Sequence, residues 1–284
     1  MAFLLPQGPS GRCGRHLRSS CQEERKLIQE LEKAKKLKRR LKAGEPCLGA
    51  QIALTDPAVA ELFGRAGFDW LVIDTEHAPN NELTVRAMMQ AAAHTGAVAL
   101  ARPKRLDIDD IRCFLDLGSP GVICPFINTG EEAELLVSAC RYPPAGIRGY
   151  GPRRSAMYGF DAEEYFEIAN DCVLCIPIIE SRRAVDNIDA IVRVDGIDGA
   201  CVGPMDLSIS LGLFRKFEDP AYLSAVEEVR KACKKHGKAM GTGCYSLEHA
   251  KQCRALGDNL LLAAGDDGYL AAEARRCLKE LGRG

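Results

Sequence analysis

Several apolar, strand-like runs in this sequence end on residues that a metal-assisted enolate reaction would need. A charged group just past a buried strand costs free energy unless it is paired, ligated or used. One such group is unremarkable, but four of them in one repeating strand–helix chain predict a functional site. The runs WLVID, GAVALA, CVLCIPII and GACVGPM lead respectively to Asp74 (with Glu76 and His77 just beyond), Arg102, Glu180 and Asp206.

Glu180 and Asp206 are the candidate metal ligands. They follow neighbouring predicted strands, so their carboxylates can converge on one point, where they repel each other unless a cation lies between them. Two protein oxygens with open coordination positions suit Mg²⁺ or Mn²⁺. The structural alternative makes Glu180 an N-cap partner for Ser181 and places Asp206 in the first turn of a helix. The metal interpretation is favoured.

His77 is the candidate general base. Asp74 and Glu76 lie close to it in sequence, and a carboxylate beside an imidazole fixes its tautomer and raises its basicity. Of the five histidines in the chain, only His77 is predicted at the C-terminal end of a strand. A purely structural histidine is the alternative.

Arg102 ends the third predicted strand, because Pro103 follows it directly. A guanidinium there can hold a substrate carboxylate or a developing enolate oxygen. The alternative is a salt bridge to Asp74, Glu76 or Asp116.

One further feature concerns access of the substrate, and another, the absence of a suitable lysine, favours a metal-assisted reaction over an imine. At Gly203-Pro204 a strand end lacks a side chain, which lets a substrate approach the backbone closely. A Schiff-base aldolase needs a desolvated lysine on a strand. Lys104 instead follows a proline, and Lys238 lies at the entrance to its strand.

These residues must be positioned by a repeating strand–helix fold. The apolar runs are nearly continuous, as parallel strands buried on both faces require. Eight units predict an α/β protein with a (β/α)8 TIM barrel; a doubly wound sheet is the alternative, but the sequence has no G-x-G-x-x-G or P-loop pattern. We predict strands near 47–53, 69–74, 97–101, 120–125, 172–179, 198–203, 238–243 and 259–263. We predict helices near 56–66, 81–94, 107–117, 130–140, 182–193, 220–236, 246–256 and 267–281.

The longest connection, residues 139–166, separates strands four and five and is rich in Gly, Pro, Arg and Tyr. Loops of that length in compact domains are usually functional. We expect it to leave the C-terminal face of the barrel, where active sites of this fold lie.

The N-terminal segment differs from the rest of the chain. Residues 1–22 carry arginine and serine but no acidic residue, which is typical of either a mitochondrial transit peptide or a disordered tail. We therefore expect the protein to be located in the cytoplasm, or in the mitochondrial matrix if the segment is a transit peptide. Residues 23–44 form a predicted charged helix with a leucine stripe at Leu27, Leu31, Leu37 and Leu41, and residues 45–284 form the barrel domain.

Composition describes an ordinary globular protein, with 46% hydrophobic and 27% charged residues. The net charge of −1 gives no reason to expect nucleic acid or a membrane as a partner. The thirteen cysteines are odd in number and several fall in apolar runs, which favours reduced, buried thiols. Cys172 and Cys175 are interpreted in the same way, as core residues rather than a metal half-site.

From about residue 30 to the C-terminus, the chain resembles the HpcH/HpaI aldolase family, the class II pyruvate aldolases of the phosphoenolpyruvate/pyruvate-barrel group. The most specific elements are Asp-x-Glu-His-Ala-Pro-Asn, from Asp74, and Gly-Pro-x-Asp-Leu-Ser, from Gly203. The other similar stretches are LKAGEPCLGAQIALTDPAVAELFGRAGFDWLVI, ALARP, FLDLGSPGVICPFINTGEEA, RYPPAGIRGYGPRRSAMYG and IIESRRAVDNIDAIVRVDGIDGACV.

The resemblance implies a role for each catalytic candidate. Glu180 and Asp206 would hold a divalent metal, Mg²⁺ or Mn²⁺ with Co²⁺ as a further candidate. His77, oriented by Asp74, would act as acid–base at the aldol hydroxyl, and Arg102 would steady the pyruvate enolate.

It also implies substrate contacts and an assembly. Arg154 and Ser155 would lie near the bound oxo acid, and the backbone around Gly203-Pro204 would accept the pyruvate carboxylate. Asp116 would hydrogen-bond across a subunit contact. Glu76 is a further candidate for a supporting role in the site. Family members form homohexamers, trimers of dimers that exchange the last helix.

One position departs from the family pattern. Ile178 stands two residues before Glu180, where many members carry glutamine. The departure removes a hydrogen bond to the substrate's keto oxygen and puts the usual substrate in question.

The predicted function is therefore a class II aldolase that cleaves a 4-hydroxy-2-oxo acid reversibly into pyruvate and an aldehyde. The substrate would be a 2-keto-3-deoxy sugar acid or a hydroxy-oxo dioic acid. The alternatives are a citrate lyase β-like acyl-CoA lyase acting on malyl- or citramalyl-CoA, and a catalytically silent oligomeric binding protein.

Overall fold

Eight short parallel strands close into a barrel in chain order in the computed structural model, which describes residues 29–283. The predicted (β/α)8 barrel is thereby confirmed, and the open-sheet alternative is wrong. Each predicted strand is found within a few residues of its expected bounds. The strands are β1 (Cys47–Ile52), β2 (Trp70–Asp74), β3 (Val98–Arg102), β4 (Gly121–Cys124), β5 (Leu174–Ile179), β6 (Gly199–Val202), β7 (Ala239–Gly243) and β8 (Leu260–Gly265).

The helices between the strands start and stop at recognisable signals. At α2, for example, Asp56 accepts a hydrogen bond from the N–H of Ala58, Pro57 follows as the first helical residue, and Gly67 ends the helix at φ 102°. The helices are α1 (Gln29–Lys42), α2 (Pro57–Ala66), α3 (Glu82–Ala93), α4 (Ile108–Asp116), α5 (Gly130–Cys140), α6 (Ala162–Cys172), α7 (Arg182–Asp186), α8 (Ile188–Val192), α9 (Pro204–Ser210), α10 (Pro220–Lys235), α11 (Leu247–Ala255) and α12 (Asp266–Glu280).

Helix α1 closes the N-terminal end of the barrel. Leu37 and Leu41 are buried in the same apolar cluster as Trp70 of β2, and Lys38 forms a 3.3 Å ion pair with Asp198, just before β6. The predicted leucine stripe therefore packs as expected. Residues 1–28, including the predicted leader at 1–22 and Leu27, lie outside the described residues.

The long connection does not leave the C-terminal face, so that expectation is wrong. It follows α5, and in a β/α barrel the chain that leaves a helix has already returned to the N-terminal end of the barrel. The segment also has regular structure that was not predicted, a 3₁₀ turn over Arg154–Gly159 and helix α6. The predicted helix 182–193 is likewise two short helices that meet at Asn187.

The cysteines predicted to pack in the core do so. Cys47, Cys124, Cys175 and Cys201 are buried, unpaired thiols, as is Cys172. Within residues 29–283, no helix combines the length and apolar character needed to cross a bilayer.

Candidate active site

Asp74 and Arg102 form the fixed base of the site because β2 and β3 pair in register at these two residues. Arg102 Nε donates to Asp74 Oδ1 at 2.8 Å and Nη2 donates to Oδ2 at 2.6 Å. Gln51 Nε2 also donates to Oδ2, at 2.8 Å. Burial alone would raise the pKa of Asp74, but the hydrogen bonds and charge of Arg102 lower it below its ordinary value. Asp74 is therefore an anion that positions Arg102.

The predicted pairing of the His77 ring with Asp74 is not found. The Asp74 oxygens are already occupied by Arg102 and Gln51, and Oδ1 also accepts the backbone N–H groups of Glu76 and His77 at 3.0 and 3.3 Å. The His77 ring is 60% exposed, and its Nε2 lies 3.6 Å from Glu76 Oε2. Asp74 thus fixes the main chain of this turn, and Glu76 is the carboxylate beside the imidazole.

Glu180 is buried at the end of β5 and held in one orientation. Its Oε1 accepts the N–H of Phe126 at 2.7 Å, and Phe126 has the left-handed backbone (φ 51°) that non-glycine residues adopt at a cost. A Cβ added to Gly203 would lie 2.7 Å from Glu180 Oε2. Gly203 is therefore needed to leave room for this carboxylate.

Burial raises the pKa of Glu180 to about 7, and repulsion from Glu76 and Asp206 raises it further. The hydrogen bond from Phe126 acts in the opposite direction. The N-cap alternative for Glu180 does not hold, because Ser181 itself caps α7 by accepting the N–H of Ala184. Asp206 does lie in the first turn of α9, as its structural alternative required.

The carboxylates around Glu180 fit a divalent cation. Burial raises the pKa of Glu76, and its buried Oε2 accepts no hydrogen bond from residues 29–283, although Arg102 Nε lies 3.4 Å away. Arg102 is thus shared by Asp74, Glu76 and Glu180. A carboxylate cluster with more negative than positive charge and an unsatisfied oxygen suits a hard, oxygen-binding cation.

A cleft of about 330 Å³ opens over these groups. Gly203 and Pro204 line it. The Gly203 N–H bonds to Ile179 O at 3.1 Å and proline has no N–H, so the expected binding of a substrate carboxylate by the backbone around these two residues stays a prediction. Of the predicted residues, the lining includes His77, Arg102, Glu180, Gly203, Pro204 and Asp206, together with Gln51 and Ile178.

Arg154, Ser155 and Asp116 do not line the cleft of this chain, and the expected substrate contacts of Arg154 and Ser155 stay predictions. Arg154 Nη2 donates to Glu30 Oε1 of α1 at 2.7 Å. Ser155 Oγ donates to the backbone O of Asp116 at 3.4 Å, and the Asp116 carboxylate accepts from Arg148 at 2.8 Å. The physical reason is the path of the long connection, which lies at the end of the barrel that α1 closes.

Comparisons with known proteins agree with this architecture. The family model described as HpcH/HpaI aldolase/citrate lyase matches residues 49–274. A 4-hydroxy-2-oxo-heptane-1,7-dioate aldolase of Klebsiella pneumoniae is 38% identical over 239 residues, which are 84% of this chain and 90% of that protein. The chain belongs to the HpcH/HpaI aldolase/citrate lyase family. The predicted family is confirmed.

Other members of the HpcH/HpaI family are similarly related. A hydroxypyruvate/pyruvate aldolase of Deinococcus radiodurans is 38% identical over 242 residues, covering 85% of this chain and 87% of that protein. The crystal structure of a family protein from Burkholderia cenocepacia superposes with a TM-score of 0.84 at 33% identity, covering 87% of this chain and 99% of that one. The predicted enzyme class, a carbon–carbon lyase of the aldolase type, is confirmed by these relationships.

Two contributors to this family site were missed by the sequence reasoning. Gln51 was detectable, since it is the polar residue near the C-terminal end of the apolar run CLGAQI, on the strand next to Asp74. Phe126 was not, because it contributes a backbone N–H that every residue except proline has.

Proposed function

We propose that this chain is a class II aldolase that cleaves a 4-hydroxy-2-oxo acid into pyruvate and an aldehyde, with a divalent cation held by Glu180 and Asp206. The observation that carries the proposal is that Glu180 and Asp206 line one cleft together with Arg102, while Glu76 lies 3.4 Å from the Arg102 guanidinium. A bound Mg²⁺, Mn²⁺ or Co²⁺ would supply Lewis acidity toward the 2-oxo group of the substrate.

Arg102 serves as the electrostatic clamp for the enolate. When the C3–C4 bond breaks, its electrons move into the pyruvate fragment and negative charge grows on the C2 oxygen. Asp74 keeps the guanidinium at one place and one orientation through two hydrogen bonds. A donor fixed before the reaction stabilises this charge without reorganising.

His77 is the acid–base group, and Glu76 is its partner. The exposed imidazole takes the proton from the C4 hydroxyl, which becomes the aldehyde carbonyl as the C3–C4 bond breaks. Glu76 Oε2, 3.6 Å from Nε2, stabilises the imidazolium. The proton that then returns to C3 completes pyruvate, so atoms and charge balance over the reaction.

The test is pyruvate release by chelated protein reconstituted with each cation, using both hydroxy-oxo dioic and 2-keto-3-deoxy sugar acids. Glu180→Gln keeps the shape and the hydrogen-bond capacity of the side chain but removes its charge. We expect it to lower metal-dependent turnover by at least about 10³-fold, and Asp206→Asn to do the same. Glu163→Gln, an exposed substitution on α6, is the matched control. Near-normal turnover in Glu180→Gln would exclude the metal assignment.

Substrate choice is expected to depend on Ile178. Its apolar side chain lines the cleft two residues before Glu180, so it offers no hydrogen bond to a polar substrate group. The relatives are named for 4-hydroxy-2-oxo-heptane-1,7-dioate and for hydroxypyruvate with pyruvate, and these are the first compounds to compare.

We also propose self-association through α12. Its start is anchored, since the buried Asp266 accepts the N–H groups of Ala53 and Leu54. All residues from 267 to 283 are exposed in one chain, although helices of this barrel fold normally pack against the strands. The exposed apolar side chains Tyr269, Leu270, Leu278 and Leu281 fit burial against a second copy, as helix exchange in a homohexamer would provide.

A further inference from the structure

Two cysteines and a histidine lie together beside the cleft, and one of them, Cys244, lines it. Cys244 directly follows β7, and His249 and Cys253 lie on α11. One ligand atom of each lies within 4.8 Å of the other two, and His249 Nε2 is 3.3 Å from Cys253 Sγ. The aldolase mechanism uses none of these groups.

The fold holds the three side chains in place. His249 and Cys253 are four residues apart, so they share one face of α11. Ser246 caps that helix by accepting the N–H of His249 at 3.0 Å, and the Cys244 N–H bonds to Leu262 O at 2.9 Å on β8. Tyr245 stacks on the imidazole with ring centroids 3.9 Å apart.

The imidazole is poorly satisfied without a further ligand. Nδ1 of His249 is buried and has no hydrogen-bond partner within the described range 29–283, and Nε2 contacts only the sulfur of Cys253. Thiols are weak hydrogen-bonding groups, and an unsatisfied buried nitrogen costs free energy. A cation bound by the imidazole would supply a coordinate bond where the ring now has one weak contact and one unsatisfied nitrogen.

The donor set selects the kind of cation. Two sulfurs and one imidazole nitrogen are soft to borderline ligands, which prefer Zn²⁺ to Mg²⁺ or Ca²⁺. With Zn–S near 2.3 Å and Zn–N near 2.0–2.1 Å, ligand atoms of a tetrahedral site lie roughly 3.5–4 Å apart. The observed grouping within 4.8 Å is close to that arrangement before any cation is bound.

We propose that Cys244, His249 and Cys253 form a Zn²⁺ site distinct from the carboxylate site. The two thiols lose their protons to solvent when the ion binds, and the fourth position is left for water. Because Cys244 and Tyr245 both line the cleft, the ion would tie this part of the cleft wall to α11.

Cobalt is the probe for the site, because thiolate ligands give bound Co²⁺ an intense near-ultraviolet charge-transfer band that oxygen ligands do not give. We expect the full-length protein to bind about one equivalent of Co²⁺ with this band and Zn²⁺ to displace it. Cys244→Ser and Cys253→Ser should each abolish the band, and His249→Gln should weaken cobalt binding at least about 10-fold. Cys277→Ser, at an exposed thiol on α12, should leave it unchanged.

The zinc site and the aldolase site can fail separately. Glu180→Gln should keep the charge-transfer band even though it removes the carboxylate ligand. Circular dichroism melting identifies any variant that fails to fold, and two different cysteine variants guard against that outcome. Absence of the band in folded wild-type protein, or its persistence in both cysteine variants, contradicts the proposal. A Cys244–Cys253 disulfide in zinc-loaded, reductant-purified protein, detected by mass spectrometry, would also overturn it.

Discussion

Gly203 can be tested as the residue that makes room for the Glu180 carboxylate. In Gly203→Ala the new Cβ would lie 2.7 Å from Glu180 Oε2 and 3.0 Å from its Cβ, so the carboxylate must move. Displacements of this size cost catalysis about 10²-fold. We expect weaker metal activation and that loss in pyruvate release. Gly96→Ala is the control, since nothing lies within 4 Å of its added Cβ; equal activity of the two variants would refute this role.

The pKa of Glu180 predicts how the stability of chelated protein depends on pH. The pKa in the folded protein is about 7 against an ordinary value of 4.5, so the fold favours the neutral acid. Its contribution is fully present below about pH 4.5 and is lost as pH rises through 7. Over that window the unfolding free energy of wild type should fall relative to Glu180→Gln, by up to about 3 kcal/mol.

Urea unfolding in EDTA at a series of pH values measures this difference, and titrating groups that do not interact with Glu180 cancel between the two proteins. A difference that does not change between pH 4.5 and 7 would mean that Glu180 ionises normally. Added Mn²⁺ should restore the stability of wild type more than that of Glu180→Gln, because it binds the ionised form.

Residue types could be predicted from the sequence better than residue partners. Charged groups at strand ends indicated Arg102, Glu180 and Asp206 without any structure. The partner of the His77 ring could not be predicted, because it depends on which donors reach the Asp74 oxygens. That is decided by the β2–β3 register and by Gln51 of β1, which link parts of the chain far apart in sequence.

At the scale of whole elements, the Arg154–Glu30 pair tests whether the long connection serves α1 rather than the cleft. Both side chains are mostly buried, at 8% and 17% exposure, so breaking the pair leaves an unpaired charge. Arg154→Gln and Glu30→Gln should each lower the unfolding free energy by about 1–3 kcal/mol. KM for the oxo acid should stay unchanged in both.

The double variant checks the coupling, since its loss should be smaller than the sum of the single losses. A rise in KM specific to Arg154→Gln would instead return this residue to the substrate site. Unfolding curves and steady-state kinetics on the same preparations distinguish the two.

Helix α6 escaped prediction for a physical reason. Strands buried on both faces give long apolar runs, so their bounds could be predicted to within a few residues of those in the structure. Helix α6 begins after a segment rich in Gly, Pro and Arg, where composition predicted a loop, but it packs beside α1 through Tyr165 and Leu31 in one apolar cluster. Tertiary packing decided its structure, and local sequence gave little sign of it.

For the molecule as a whole, closure of the barrel explains why separate strand ends converge. Residues 74, 102, 180 and 206 span more than a hundred positions in sequence, yet parallel strands in one closed ring end on one face. Alternation of strand and helix was therefore enough to predict a common site. The length and composition of the connection after α5 do not show which face it uses, because that depends on α5 reversing the chain and returning it to the N-terminal end of the barrel.

The exposed α12 gives the prediction that concerns assembly. Leu270 and Leu278 are 61% and 47% exposed in one chain. If a second copy buries them, charged residues at these two positions would lose their hydration at the contact, and association would be disfavoured. The double variant Leu270→Glu, Leu278→Glu should sediment as a smaller species than wild type in analytical ultracentrifugation, with its far-ultraviolet circular dichroism unchanged. Leu223→Glu, at a 53% exposed leucine on α10, is the matched control and should keep the wild-type mass. A wild-type protein that sediments as a single chain would refute the exchange of α12, because the apolar side chains of the helix would then face water in solution.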